Sequence, residues 1–387
     1  MEQSPDHKTV ADQGSDPGVR TRTAGSDPRA YCLSVHADYA CRHSGACCTA
    51  GWAIPVEPAA VETITVRFAS EPSIVRSGGP LPEGAAAMLS LAPDGACVFF
   101  DAAGGRMCRV HRDLGPASLP LACRQFPRVV LRDPRGTFIS LSHYCPTAAS
   151  LLASPDRLAI VTAPSSLTLD GAAEGLDARH ALPPLLAPGL LMDLDGYDLW
   201  ERRAIDVLSR ADLTAASAIG AIADASRRLQ DWTPAHGSLV AAVGREFTVA
   251  QPRQADEDLS ADRARFATAR ASAPDDLRPS ATDAGIERVW AQVAPWWTDV
   301  DRLARSYLAA RLFGNWIAYH GQGLHAIVEY LRVCLSVLKI ETARQQVGTA
   351  PRGSALSPWQ TVTEAIRNSD LLLMHLSDPK KLARRLG

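Results

Sequence analysis

Apolar and polar residues follow two different patterns along this 387-residue chain, and the change falls near its middle. Beyond about residue 195, apolar side chains recur every three to four positions, which places them on one face of an α-helix. The pattern predicts six helices, near residues 196–210, 213–231, 285–297, 300–312, 324–345 and 357–376. The stretch 250–283 is rich in Asp, Arg, Ala and Pro and is predicted to be a mobile linker.

The first half of the chain carries its apolar residues in short runs that are separated by turn residues. Residues 128–132 and 137–141 are runs typical of strands, and residues 133–136 between them have the composition of a tight turn. Together they predict a β-hairpin, which would bring Cys123, just before it, and Cys145, just after it, near the same end of this region. Residues 55–92 favour one or two helices, and residues 158–170 favour a strand that leads out of this region.

Three regions follow from these patterns. Residues 1–30 are polar and rich in Gly and Pro, without the apolar core of a signal peptide, and predict a disordered leader. Residues 31–150 form a cysteine-rich module, and residues 151–387 form a mainly helical region. The region ends in a short basic tail, which is predicted to be a solvated helix end that complements the helix dipole. The predicted fold class is therefore α+β and mainly α, in which a cysteine-rich metal-binding module with a β-hairpin precedes a helical region.

Composition and charge narrow the classes of partner. The chain is 46% hydrophobic and 21% charged, as in soluble globular proteins. Its net charge of -2 argues against a nucleic-acid partner. The most apolar stretch, residues 324–340, contains four ionisable side chains, which argues against a membrane span and a membrane partner. We expect a cytoplasmic protein.

Cysteine is the residue type that points most directly to chemistry. Eight of the nine cysteines lie between Cys32 and Cys145, and only Cys334 lies elsewhere, on an apolar helix face where it is predicted to be a core residue. Because cytoplasmic thiols stay reduced, a dense group of cysteines there favours metal binding over disulfides.

Seven cysteines within 105 positions are the candidate metal ligands. They are Cys41, Cys47, Cys48, Cys97, Cys108, Cys123 and Cys145. Cys32 lies outside their pattern and ranks lower. No C-x-x-C pair is present, so the prediction depends on the number and density of cysteines. His43, His111 and His143 lie among them and could replace a thiolate, although a hydrogen-bonding or surface role is the commoner one for each.

Arginines cluster in the same region. Seven arginines lie between residues 106 and 135, against only Asp113 and Asp133. They could stabilise the negative charge of several thiolates around a metal. They could also form a solvated basic face or bind an anionic substrate.

The order of these motifs resembles the YkgJ-type cysteine-cluster family, a zinc- or iron-chelating domain that includes the FliB-type flagellin lysine N-methylases. The resemblance covers roughly residues 36–150, and residues 41–52, 97–100, 108–111 and 123–128 carry it. It implies that the seven cysteines bind zinc or an iron–sulfur cluster. The methylase members further imply S-adenosylmethionine as cofactor and a protein as substrate, with Arg109, Arg124 and Arg128 orienting substrate or cofactor.

Two classes of function are compatible with the sequence. One is a metal- or cluster-dependent enzyme that resembles lysine N-methylases, and the other is a non-catalytic zinc or iron module for assembly, metal handling or redox sensing. Four thiolates closed around zinc would favour the second, whereas an exchangeable ligand would favour the first. No G-x-G-x-x-G segment is present, which argues against a Rossmann-type methyltransferase.

Overall fold

A computed structural model describes residues 29–69, 75–76, 81–169, 173–249, 259–275, 285–348 and 356–387. The predicted leader lies almost entirely outside the described residues. The strands are β1 Ala30–Leu33, β2 Pro55–Val56, β3 Val75–Arg76, β4 Ala87–Leu89, β5 Phe100–Asp101, β6 Met107–Cys108, β7 Arg128–Asp133, β8 Gly136–Leu141, β9 Ile160–Thr162, β10 Gly175–Asp177, β11 Leu185–Ala187 and β12 Leu190–Leu191.

Helices predominate over strands, so the fold class is α+β and mainly α, as predicted. The helices are α1 Pro58–Arg67, α2 Arg109–Leu114, α3 Leu121–Gln125, α4 Pro146–Leu151, α5 Leu194–Ser209, α6 Ala215–Leu229, α7 Leu239–Val249, α8 Leu259–Arg270, α9 Ile286–Trp297, α10 Asp301–Leu312, α11 Ile317–His320, α12 Leu324–Gly348, α13 Pro358–Asp370 and α14 Pro379–Leu386.

The largest sheet has five strands in the order β10-β7-β8-β1-β9. Strands β7 and β8 are antiparallel and confirm the predicted hairpin, with Arg128 opposite Leu141 at its open end. Strand β1 runs parallel to β8, and β9 is antiparallel to β1. The predicted module boundary at residue 150 therefore falls between strands that pair in one sheet.

The main hydrophobic core lies among the helices, and the six predicted helices are all present. Helix α12 is at its centre and packs against α6, α8, α9, α10 and α13. Cys334 on this helix is fully buried, which confirms its prediction as a core residue. A second, smaller core lies beneath the cysteines and consists of Val56, Ile64, Phe68, Leu89, Cys97, Phe99 and Val110.

The prediction of a mobile linker over residues 250–283 is wrong for its central part, where helix α8 forms. Residues 250–258 and 276–284 lie outside the described residues. Phe266 of α8 is 1% exposed, and Asp262 accepts a hydrogen bond from Ser336 Oγ at 2.6 Å. Asp262 also lies 3.5 Å from Lys339 Nζ. The helix depends on tertiary partners on α12, which local composition could not reveal.

The basic C-terminal tail was predicted to be a solvated helix end, but it packs on the protein. Helix α14 begins at Pro379, and the Asp378 carboxylate caps it by accepting from the backbone N–H groups of Lys380 and Lys381. Leu382 and Leu386 are buried. Across the described ranges, no helix is both long and apolar enough to traverse a bilayer.

Candidate metal centre

All seven candidate cysteines line one cavity of about 330 Å³. They come from five separate segments of the chain, so the fold gathers residues that lie up to 104 positions apart. Cys41 and Cys47 are exposed, Cys48, Cys108 and Cys123 are half-buried, and Cys97 and Cys145 are buried. Each of them carries a free thiol.

The first segment forms a tight loop around Gly45. Gly45 has φ of +75°, and a Cβ atom there would lie 2.6 Å from the Phe100 ring, so glycine is required on both counts. The backbone N–H of His43 donates to Cys41 Sγ at 3.4 Å. Cys47 Sγ and Cys48 Sγ are 3.8 Å apart. The loop therefore brings three cysteines to the cavity, and one of its backbone amides donates to the Cys41 sulfur atom.

Short backbone contacts attach the second and third segments to this loop. The backbone N–H of Cys97 donates to the carbonyl of Cys48 at 2.7 Å. The N–H of Arg109 donates to the carbonyl of Phe99 at 2.8 Å, and β5 pairs with β6 so that Phe100 faces Cys108. Cys97 and Cys108 are thus fixed relative to Cys48 by main-chain hydrogen bonds, whose geometry is insensitive to side-chain motion.

The last two cysteines are brought together by the β-hairpin. Cys123 lies on α3, whose first backbone N–H, that of Leu121, donates to the Glu57 carboxylate at 3.2 Å. Cys145 lies just before α4 and is 3.9 Å from the hydroxyl of Tyr39. Because β7 follows Cys123 and β8 precedes Cys145, the hairpin returns the chain to the same cavity, as the sequence predicted.

Cys108 is the cysteine of the cavity whose pKa most favours the thiolate form at neutral pH. A hydrogen bond from the Cys48 thiol, followed by backbone N–H groups of His111 and Val110 and the charge of Arg109, lowers the pKa of Cys108 to about 6, although burial opposes the shift. The Cys48 thiol also lowers the pKa of Cys47. Cys48 itself keeps its proton, because its two sulfur neighbours raise its pKa. A low pKa at a helix N-terminus is typical of reactive or metal-binding cysteines.

Three other thiols of the cavity are held neutral. Burial raises the pKa of Cys97 to about 11 and also raises that of Cys123 and Cys41. The negative charge of neighbouring thiolates adds to this effect at Cys97 and Cys123. A cation in the cavity would reverse the effect, since a bound metal ion favours the thiolate form.

Of the three candidate arginines, Arg124 and Arg128 line this cavity and Arg109 does not, and all three donate to backbone carbonyls. Arg128 donates to Leu167 O at 2.7 Å and to Ser166 O at 2.9 Å, and Arg124 Nη1 donates to Ala117 O at 3.4 Å. Arg109 donates to Val98 O at 3.1 Å. The charge of Arg109 favours the thiolate forms of Cys97 and Cys108, and Arg128 interacts electrostatically with Cys41. The N–H groups of all three arginines hold the loops around the cavity.

Two of the candidate histidines face each other at this cavity. The rings of His43 and His111 are 5.1 Å apart, and His43 Nδ1 lies 3.9 Å from Cys41 Sγ. Burial and the neighbouring His43 lower the pKa of His111, which favours the neutral imidazole that can bind a metal. His143 does not reach the cavity, because it belongs to a buried network described below.

The cysteines share a cavity without already forming a coordination shell. Among the residues that the structure describes, no group of three or more His, Cys, Asp or Glu side chains is arranged to hold a metal ion. Metal binding by the seven cysteines therefore stays a prediction.

Comparison with known proteins leaves the family open. No family model, curated protein or solved structure matches this chain. The inference of function depends on the geometry of the cavity and on the motifs within it.

A buried polar network next to the cavity was missed by the sequence. His143 Nδ1 lies 3.0 Å from the Asp370 carboxylate, which also accepts from the Tyr307 hydroxyl at 2.9 Å. His36 Nε2 lies 3.1 Å from His143 Nε2. Its members are 63 to 334 positions apart, and the only available signal was ionisable residues within apolar runs, as at Asp370.

His375 provides a test of how burial controls stability. Its ring stacks on that of Trp52, with 4.4 Å between the ring centroids. Burial lowers the pKa of His375 to about 4. In the unfolded chain a histidine titrates near ~6.5. The folded state therefore gains stability from neutral His375 above pH ~6.5 and loses it as the pH falls toward 4, by about 3 kcal/mol in total.

We expect His375→Gln to weaken the fall in unfolding free energy between pH 7 and pH 5, as measured by urea denaturation. His180→Gln, at an exposed position, is the matched control and should retain the wild-type pH dependence. Equal pH dependence in all three proteins would contradict a neutral, buried His375.

Proposed function

We propose that this chain is a cysteine-cluster metal protein of the YkgJ type, in which the seven-cysteine cavity holds zinc or an iron–sulfur cluster. The observation that carries the proposal is the convergence of all seven candidate cysteines on one cavity. Seven of the nine cysteines line this one cavity, which supports a role for their sulfur atoms there.

The chemistry of the donor set suits such a centre. Thiolates are the preferred ligands of iron–sulfur clusters and are common ligands of zinc. Cys108 and Cys47, with their lowered pKa values, would bind first, since they lose a proton most readily. Arg109, Arg124 and Arg128 would offset the negative charge of the thiolates and, in an enzyme, orient substrate or cofactor.

The enzyme form of the proposal is a protein lysine N-methylase-like activity with S-adenosylmethionine as methyl donor. A thiolate-bound cluster would supply redox or Lewis-acid chemistry when present. The chain itself would hold the cluster with its cysteines and keep the surrounding loops in place through the arginine–carbonyl hydrogen bonds. The resemblance to the FliB-type methylases supports this form.

The second candidate is a non-catalytic module for metal handling, assembly or redox sensing. The exposure of Cys41 and Cys47 favours it, because thiols at the rim of the cavity can exchange a metal ion with solvent or react with an oxidant. It uses the same cysteines and needs no substrate.

The deciding experiment is elemental analysis and an ultraviolet–visible spectrum of protein purified without oxygen. Iron and sulfide with absorption near ~400 nm would support the cluster and justify an assay for methyl transfer from labelled S-adenosylmethionine to lysine-containing proteins. Stoichiometric zinc in a colourless sample would support the non-catalytic module. Protein that is fully folded without any metal would contradict both.

A further inference from the structure

A second cavity, of about 250 Å³, lies next to the hairpin and shares Arg128 with the cysteine cavity. Apolar side chains form much of its wall, among them Val129, Phe313, Ile317 and Leu373. The cavity exceeds the volume of a single water molecule many times over, since one water takes about 30 Å³ in the liquid. It is thus large enough for a compact organic molecule.

Three residues that line this cavity each carry a buried hydrogen-bond donor without an acceptor among the described residues. Arg311, Asn315 and Trp316 all line it, and within the described part of the chain Arg311 Nε, Asn315 Nδ2 and Trp316 Nε1 are buried without a partner. Buried donors are nearly always paired in folded proteins, because an unpaired one loses its hydrogen bond to water. Three such donors in one cavity indicate that something else supplies the acceptors.

The surrounding contacts fix which atoms are free. Asn315 is 5% exposed, and its Oδ1 accepts from the Ile317 backbone N–H at 2.8 Å, so the amide nitrogen is the group left unpaired. Arg311 is 4% exposed. It donates from Nη2 to Leu141 O at 2.8 Å, and its Nη1 lies 3.5 Å from the Asp370 carboxylate, which leaves Nε.

Other polar groups of the cavity are paired with the protein. The Gln125 amide exchanges two hydrogen bonds with the backbone of Glu174, at 2.6 and 2.7 Å. The Ser140 hydroxyl donates to Ala310 O, and the Ser377 hydroxyl donates to Ala269 O, both at 3.2 Å. The unpaired groups identified at this cavity are therefore donors, and a bound molecule would have to supply acceptors.

We propose that this cavity binds a small organic molecule with an apolar body and a carboxylate group. A carboxylate carries two oxygen atoms and about four lone pairs, which are enough acceptors for the donors of Arg311, Asn315 and Trp316. Its charge would strengthen the bond to the Arg311 guanidinium. The apolar wall takes the remainder of the molecule, and the volume, below the usual range for drug-sized ligands, limits it to a compact one.

The site is independent of the metal proposal, because none of its three donors touches the cysteine cavity. Isothermal titration of the full-length protein with benzoate and hexanoate, each compared with its neutral analogue, benzyl alcohol or hexanol, tests it directly. We expect the carboxylates to bind roughly tenfold or more tightly than the alcohols, as for hydrogen bonds to a charged group.

Two variants remove single donors while they retain the local structure. Trp316→Phe keeps the ring and deletes one N–H, and Asn315→Asp keeps the oxygen that accepts from Ile317 while it replaces the amide nitrogen by a repelling carboxylate oxygen. Each should weaken benzoate binding roughly tenfold or more. Trp359→Phe, at an exposed position outside the cavity, should bind benzoate as the wild type does.

The indole N–H resonance of Trp316, assigned by its loss in Trp316→Phe, gives a second readout in the wild-type protein. It should shift on addition of benzoate and stay in place with benzyl alcohol. Equal binding of acids and alcohols, binding that survives in both variants, or no binding of either carboxylate would each overturn the proposal.

Discussion

Replacement of Cys108 by serine is expected to abolish metal binding and to unfold the cysteine-rich segment. The pKa of Cys108 is lowered to about 6, so its side chain is largely the metal-binding thiolate at neutral pH. A serine hydroxyl does not ionise in this range and is a poor metal ligand. The core beneath the cysteines contains only seven buried side chains. A core of this size rarely stabilises a fold alone and usually needs a metal or disulfides.

The expected effect is large because metal binding and folding are coupled at such a site. Structural zinc contributes about 10–16 kcal/mol in small thiolate-bound domains, so loss of one ligand removes much of the stability of this segment. Metal content per chain, measured by elemental analysis after purification without oxygen, and protease sensitivity between residues 41 and 125 are the two readouts. Cys123→Ser should behave in the same way.

Cys334→Ala is the matched control, since Cys334 is fully buried in α12 and does not line the cavity. We expect it to retain the wild-type metal content. If Cys108→Ser and Cys334→Ala lose metal to the same extent, or if neither loses any, the assignment of the seven cysteines is wrong.

Arg135→Met is expected to destabilise the whole protein by about 3–5 kcal/mol. The Arg135 guanidinium is 4% exposed and lies 2.8 Å from the Asp133 carboxylate and 2.9 Å from that of Glu201, both fully buried. Its Cζ atom also lies over the rings of Phe138 and Tyr197, at 4.3 and 4.5 Å from their centroids. Removal of the cation leaves two buried carboxylates without their counter-charge.

This ion pair connects the turn of the β-hairpin to helix α5, so its loss should lower the free energy of unfolding in urea and loosen the hairpin. Arg157→Met is the control, because Arg157 is 75% exposed and its pair with Asp206 should contribute less than about 1 kcal/mol. Arg135→Lys keeps the charge but cannot bind both carboxylates with the geometry of a guanidinium group. Its free energy of unfolding should lie between those of Arg135→Met and Arg157→Met. Equal stability of Arg135→Met and Arg157→Met would exclude a structural role for the buried pair.

The sequence predicted much of the secondary structure, because local patterns are sufficient for it. The hairpin at residues 128–141 was visible from two apolar runs around a turn, and α12 was visible from its helical period. Helix α8 was not, since its apolar face is narrow and its buried Asp262 finds partners only on α12. A helix of this kind looks like a polar linker until its partner is known.

The sequence likewise predicted one part of the candidate site, and the tertiary structure was needed for the other. The sequence by itself determined the seven cysteines, since a dense group of thiols in one segment is a chemical signal that needs no coordinates. It also placed Cys123 and Cys145 together through the hairpin. Only the tertiary structure decided that all seven line one cavity and that Cys108 has the lowered pKa, because both depend on contacts between segments distant in sequence.

Only the tertiary structure shows what the arginines pair with and that a second cavity exists. Seven arginines near the cysteines appeared as one basic cluster in the sequence, yet Arg135 is paired with buried carboxylates and Arg128 with backbone carbonyls. Nothing in the sequence distinguishes Asn315 and Trp316 from ordinary core residues. Their unpaired N–H groups become evident only when every possible acceptor around them has a position, since hydrogen bonding is decided by distance in space and not along the chain.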